Sequence, residues 1–227
     1  MASINMAARR AQRMKNYEGT NLSSRAYNGV LCGTLLYGLM VNFILCLVVG
    51  DITTVVNPAA FLIAYVICCV VGCIMSVESH NPIISFIGYN LVVVPVGLVI
   101  SMAVQEYGGV SSQTVIMAFL ITMCITAAMT VLGIAKPEFC SKLGGLLFAG
   151  LLGLIIAELL IMLFGMDNLV TSWFAAGIFS LYIAYDVHRS QSYPPTVNNA
   201  IESALDIYLD IANLFVRIVR ILGKSDD

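Results

Sequence analysis

Seven apolar runs take up nearly all of the chain between residues 29 and 222. Each is about 20 residues long, enough for a helix to cross the hydrocarbon core of a bilayer. They lie near 29–49, 58–77, 83–104, 114–135, 143–165, 169–189 and 200–222. The connections Asp51 to Asn57, Glu78 to Pro82, Gln105 to Gln113, Lys136 to Lys142 and Met166 to Asn168 leave no room for a separate domain. Hydrocarbon offers a backbone no hydrogen bonds, so spans of this kind are helical. The sequence predicts an all-α membrane protein with seven transmembrane helices. Residues 1–28 would form a basic cytoplasmic tail, 29–222 the transmembrane domain and 223–227 a C-terminal tail. Only 11% of the residues are charged and 59% are hydrophobic, whereas a soluble domain has about 25% charged residues.

Orientation follows from the Lys and Arg of the short loops. The tail holds Arg9, Arg10, Arg13, Lys15 and Arg25, the fourth loop Lys136 and Lys142, and the sixth Arg189. The first, third and fifth loops hold none. An N-terminus on the cytoplasmic side fits this pattern, in a multi-pass protein expected in a bacterial cell membrane. No short apolar stretch with a small-residue cleavage site precedes the first run, so that run is expected to act as its own insertion signal. The seven cysteines fall mostly in apolar runs and form no CxxC, and His80 and His188 are the only imidazoles. They read as packing thiols rather than as metal ligands or disulfides.

Two features concern packing. In the fifth run Gly145, Ala149, Gly153 and Ala157 recur every four residues, which predicts a small-residue groove where another helix packs closely. In the third, Pro95 is expected to kink the helix.

Function is sought in the last run, where charge appears at membrane depth. Positions 202, 206, 210, 213, 217 and 220 advance by three or four residues and carry Glu202, Asp206, Asp210, Asn213, Arg217 and Arg220. That spacing sets them on one helix face. A carboxylate at membrane depth costs about 2.5–3.5 kcal/mol even on the lenient insertion scale, so such a face must turn to the bundle interior or to water. Glu202 is near enough to the helix start to sit at the surface and meet the helix dipole, and Arg217 and Arg220 are near enough to the other end to snorkel. Asp206 and Asp210 lie deeper. Two carboxylates close together in a low dielectric share a proton, which makes a pH sensor. They also make a hard-oxygen cluster of the kind that suits Ca²⁺. Glu158 is placed by depth in the outer half of the fifth helix, and Arg217 is its favoured partner for a buried ion pair, expected to gate the outer side.

Gly177-Ile-Phe-Ser-Leu-Tyr-Ile-Ala-Tyr185-Asp186, followed by Ala204-Leu-Asp-Ile-Tyr208-Leu-Asp210-Ile-Ala-Asn213-Leu214-Phe215, resembles the Bax inhibitor motif family. The likeness is strong over the last 50 residues and mainly hydropathic elsewhere. It implies a fold in which two three-helix layers wrap a central last helix. It implies a pH-sensitive calcium leak in which Asp186 and Asp210 are the paired carboxylates, with Ca²⁺ as transported ion rather than cofactor. Two positions depart from the pattern. Phe61 to Ser76 contains no Lys or Arg to engage the pair, and Asp206 adds a third carboxylate, so the cluster is expected to be more negative.

The leading reading is thus a calcium leak or channel gated by protonation at Asp186 and Asp210, with Asp206 as a further ion contact and Glu202, Asn213 and Arg220 lining the path. A proton-coupled transporter of a small solute would use the same carboxylates. A non-conducting modulator would bind other membrane proteins through the small-residue face of the fifth helix. No His-Glu zinc motif or Gly-x-Ser-x-Gly elbow is present, and an enzyme is not expected. The expected partners are the lipid bilayer, calcium ions, protons and other membrane proteins, with no nucleic acid and no cofactor.

Overall fold

A computed structural model describes residue 13 and residues 21–49, 57–79 and 81–224. The tail residues Arg9, Arg10 and Lys15, most of the first connection, His80 and residues 225–227 lie outside the described residues. Among those described there are seven α-helices and no strand: α1 (Ser24–Val48), α2 (Pro58–Glu78), α3 (Pro82–Glu106), α4 (Gln113–Ala135), α5 (Pro137–Phe164), α6 (Leu169–Ser190) and α7 (Val197–Gly223). The first six are long and apolar enough to cross a membrane. Their outward faces carry large apolar side chains such as Met162, Leu163 and Trp173. So much exposed apolar surface requires lipid.

The helix ends are written locally. The Ser23 hydroxyl accepts from the Ala26 N–H at the start of α1, and the Asn57 side chain accepts from the N–H groups of Ala59 and Ala60 at the start of α2. Pro137 opens α5, so the expected Lys136–Lys142 loop is almost entirely helix. Proline at the first helical position loses no hydrogen bond, and nothing in Glu138–Lys142 breaks a helix. Gly165, at φ 63°, closes α5 in the left-handed conformation that glycine adopts most readily. The helix α3 continues through Pro95.

The chain divides into two compact units. The first holds α1, α2, most of α3 and the segment Ser190–Tyr208, which includes the first part of α7. In α1 the buried residues are Tyr27, Leu31, Thr34, Gly38, Asn42 and Cys46, a single stripe at helical spacing. Its interior is partly polar. The Tyr89 hydroxyl donates to the Thr34 carbonyl at 2.9 Å, the Asn42 amide donates to the Tyr208 hydroxyl at 2.7 Å, and that hydroxyl donates to the Val93 carbonyl at 3.3 Å. Helices α2 and α3 approach closely through their backbones at two glycines. A Cβ added at Gly72 would lie 2.7 Å from the Gly88 carbonyl, and one at Gly88 would lie 2.6 Å from the Gly72 carbonyl. Glycine is required at both positions.

The second unit holds Ala103–Arg189 and the chain from Leu209 onward. Here the small-residue expectation for α5 is corrected. Gly145, Ala149 and Gly153 are exposed, and a Cβ at either glycine would meet nothing within 4 Å. The inward face of α5 is instead Cys140, Leu143, Leu147 and Leu154. Gly144 makes the close contact, because a Cβ there would come within 2.8 Å of the Tyr185 hydroxyl. Helical spacing groups residues on a face, but it does not say which face turns inward.

Helix α7 differs from the others in having almost no lipid face. Residues 198–205 are all buried, so every side of its first two turns is covered by protein.

Candidate functional site

The charged stripe of α7 is satisfied in two different ways. In the first unit Glu202 and Asp206 are one turn apart on the same face, and Arg13 meets both. Arg13 Nε lies 2.6 Å from Glu202 Oε2, and Nη1 lies 3.4 Å from Asp206 Oδ2. The Arg13 side chain is 1% exposed, Glu202 2% and Asp206 15%. Nη2 also donates to the Ser203 hydroxyl at 3.4 Å, and the guanidinium carbon stands 4.1 Å from the centre of the Tyr193 ring. The Asn199 amide donates to the Arg13 carbonyl at 3.2 Å. Nearby, the Leu22 N–H donates to the Pro195 carbonyl at 2.7 Å, and the Tyr27 hydroxyl donates to the Ser190 carbonyl at 2.9 Å. Part of the tail thus packs on the start of α7. Glu202, which the sequence allows at the membrane surface, is buried against an arginine of that tail.

In the second unit Asp186 at the end of α6 and Asp210 on α7 are both buried, at 8% and 6% exposure. Both act electrostatically on the Tyr182 hydroxyl one turn before Asp186. Arg189, three residues on, stands 3.5 Å from the Asp186 carboxylate and 5.6 Å from the centre of the Tyr185 ring. The expected excess of negative charge is therefore corrected. Asp186 has a basic partner on its own helix, and Asp206 has one in the tail. The expected three-aspartate calcium contact is corrected as well. Among the described residues no group of three or more His, Cys, Asp or Glu is placed to hold a metal ion. The physical reason at Asp206 is its engagement with Arg13.

Farther along α7 the Asn213 amide turns back to its own helix and donates to the Leu209 carbonyl at 2.7 Å. Arg217 forms an ion pair with Glu158 of α5. Arg220 and Lys224 both act on the Tyr107 side chain just beyond α3. Lys224 Nζ also lies 2.5 Å from Asp167 Oδ1 in the turn between α5 and α6. Asp167 accepts the Leu169 N–H as well, and the Lys224 ammonium together with this backbone bond holds its carboxyl below the usual range.

Burial, charge and the 177–215 motif converge on one set of relatives. The model of the family described as inhibitor of apoptosis-promoting Bax1 matches residues 21–227. The chain belongs to this family. Among its relatives, a membrane protein of Streptococcus pyogenes serotype M3 is 31% identical over 138 residues, 57% of this chain and 59% of the relative. A protein of Borreliella burgdorferi is 27% identical over 163 residues, 67% of this chain and 68% of the relative. A Golgi anti-apoptotic protein of vaccinia virus (strain Lister) is 33% identical over 116 residues, 50% of this chain and 48% of the viral protein. The chain thus spans 59% of the length of the streptococcal relative that it matches. Arg13, which the sequence places in the basic N-terminal tail, lies ahead of the segment the family shares.

Proposed function

We propose that this Bax inhibitor family protein is a proton-regulated leak for calcium across a membrane, with Asp186 and Asp210 as the titrating pair. The observation that carries the reading is the burial of both carboxylates around Tyr182, in a bundle whose outer surface is apolar. Buried acids at membrane depth are costly unless they serve a proton or an ion. A proton shared by the pair holds the two carboxylates together, and full ionisation drives them apart. The leak therefore closes on protonation and opens as pH rises. Glu158 and Arg217 act as an outer gate. The N-terminus faces the cytoplasm, the reaction is transport without chemistry, and no cofactor is needed.

The exposed small-residue stripe Gly145, Ala149, Gly153 favours a second role, docking of another membrane protein against α5. The name of the vaccinia relative is compatible with such a role.

The test is calcium uptake into indicator-loaded liposomes across pH, at equal amounts of folded protein. The native protein should pass calcium with a steep pH dependence, and Asp210→Asn should pass it with a nearly flat one. An unaltered pH profile in that variant dismisses the sensor assignment. Calcium accumulation against its gradient would replace the leak with a coupled transporter.

A further inference from the structure

Helix α7 ends in three cations on one face, Arg217, Arg220 and Lys224, at helical spacing. Their partners differ. Arg217 has the Glu158 carboxylate and Lys224 that of Asp167. Arg220, half-buried between them, has no carboxylate partner among the described residues. Its polar neighbour is Tyr107, whose hydroxyl oxygen accepts from the guanidinium. The glycine at 223 seats that phenol, since a Cβ there would overlap two carbons of the Tyr107 ring. A guanidinium carries five N–H donors, and a phenol still has its own O–H to give. The Tyr107 O–H meets no acceptor among the described residues. The level of this cluster is set by the chain around it. Tyr107 lies between α3 and α4, and Asp167 between α5 and α6. Irregular backbone of this kind is not exposed to hydrocarbon, so Arg220 stands in the layer of the lipid headgroups. Trp173, exposed near the start of α6, is of a residue type enriched at that boundary, as is Tyr107.

We propose that Arg220 and Tyr107 form a binding site for the phosphodiester of a lipid headgroup. The planar fork of a guanidinium matches two phosphate oxygens at once, and the Tyr107 O–H serves a third. Lys224 stays with Asp167 but stands near enough to act on the Tyr107 hydroxyl, so it adds positive potential without giving up its partner. Glu106, exposed and next in the chain, acts in the opposite sense and forms no ion pair with these cations. Its carboxylate repels a doubly charged free phosphate more than the single charge of a phosphodiester, which favours lipid as the source. A lipid bound here ties the end of α7 to the connection between α3 and α4, one turn beyond Arg217. The site goes beyond the leak reading and does not depend on it.

The test counts bound lipids by native mass spectrometry on purified full-length protein in detergent. Phosphatidylethanolamine is titrated against the diacylglycerol with the same chains, which lacks the phosphate. The native protein should prefer the phospholipid about tenfold, and Arg220→Gln should lose that preference. Tyr107→Phe keeps the ring and loses the O–H, so it should weaken phospholipid binding several-fold. Gly223→Ala should do the same by driving the ring from its seat with no change in charge. Lys142→Gln, exposed at the opposite end of α5 from Asp167, should change nothing. A preference that survives in R220Q overturns the site, and so does an equal loss in K142Q, which would mean a general attraction to charge. Unaltered binding in both Y107F and G223A overturns the two-residue site. Displacement of the lipid by inorganic phosphate as readily as by further phospholipid overturns the lipid assignment. Should R220Q not fold, Arg220→Lys carries the test. Its ammonium keeps the charge but lacks the planar fork, so the preference should fall several-fold, and an unaltered preference overturns the site.

Discussion

Asp206 and Asp210 stand one turn apart on the same helix, yet they belong to different chemistry. Asp206, with Glu202 beside it, is held by a guanidinium that arrives from the far end of the sequence. Asp210 is nearly buried and, with Asp186, bears on Tyr182. The first set is fastened by an ion pair with a fixed charge, because arginine does not lose its proton. In the second set Arg189 stands 3.5 Å from Asp186 on the same helix, and both carboxylates bear on the Tyr182 phenol. If Asp210 titrates with Asp186 as proposed above, one stripe of acids holds both a fastener and a sensor, and what separates Asp206 from Asp210 is the set of side chains each one meets.

The strongest way to break this contrast is Glu202→Gln. It removes the carboxylate that lies 2.6 Å from the buried Arg13 Nε, and removing one partner of a buried pair costs about 3–5 kcal/mol. A large drop in the unfolding temperature in detergent is expected, and no drop would mean that Arg13 fastens nothing. Glu158→Gln should cost less, about 1–3 kcal/mol, because Glu158 is a third exposed and water screens it. It should also raise calcium flux if the pair is an outer gate, and unchanged stability and flux together would leave Glu158 a bystander. Asp210→Asn sharpens the sensor side. It should change the unfolding temperature little while flattening the pH profile of flux, and Asp186→Asn combined with it should add little, since the two titrate as one unit. The smallest effect belongs to Asp167→Asn. The Asp167 carboxyl titrates below its ordinary value of 3.8, so its contribution is present at neutral pH and fades only as pH falls below that value. Native and variant unfolding temperatures should differ slightly at neutral pH and converge as pH falls below 3.8. A difference that grows in acid would reverse the assignment of Lys224 as its partner.

The fold was readable because hydropathy alone marks helices of this length, and the structure moves their ends by only a few residues except at α5. The local partners Glu158 and Arg217 were readable too, since both are long charged side chains placed at matching depth on separate helices. The Arg13 contact was not. It joins residues 190 positions apart, and a single arginine in a basic tail carries no periodicity to set it apart from Arg9 or Arg10. Arg189 was read as a loop charge that fixes orientation, although its spacing of three from Asp186 was a usable sign of a pair. The small-residue stripe of α5 misled because exposed small residues in a membrane look the same in sequence as buried ones. The glycines that do bring backbones together, Gly72 and Gly88, belong to no four-residue repeat of small residues and gave no such signal.

The reach of Arg13 also bears on how the molecule is made. On the ribosome Arg13 appears early, whereas Asp206 follows 193 residues later. The six apolar helices can each partition into lipid as they emerge. Helix α7 gains least from lipid, and its acids need a cation that was synthesised first. The Arg13 contact can therefore form only after the first turns of α7 have been synthesised. A nascent chain stalled before residue 202 would lack both carboxylates that Arg13 meets, so the burial of Arg13 should follow the synthesis of α7 rather than precede it.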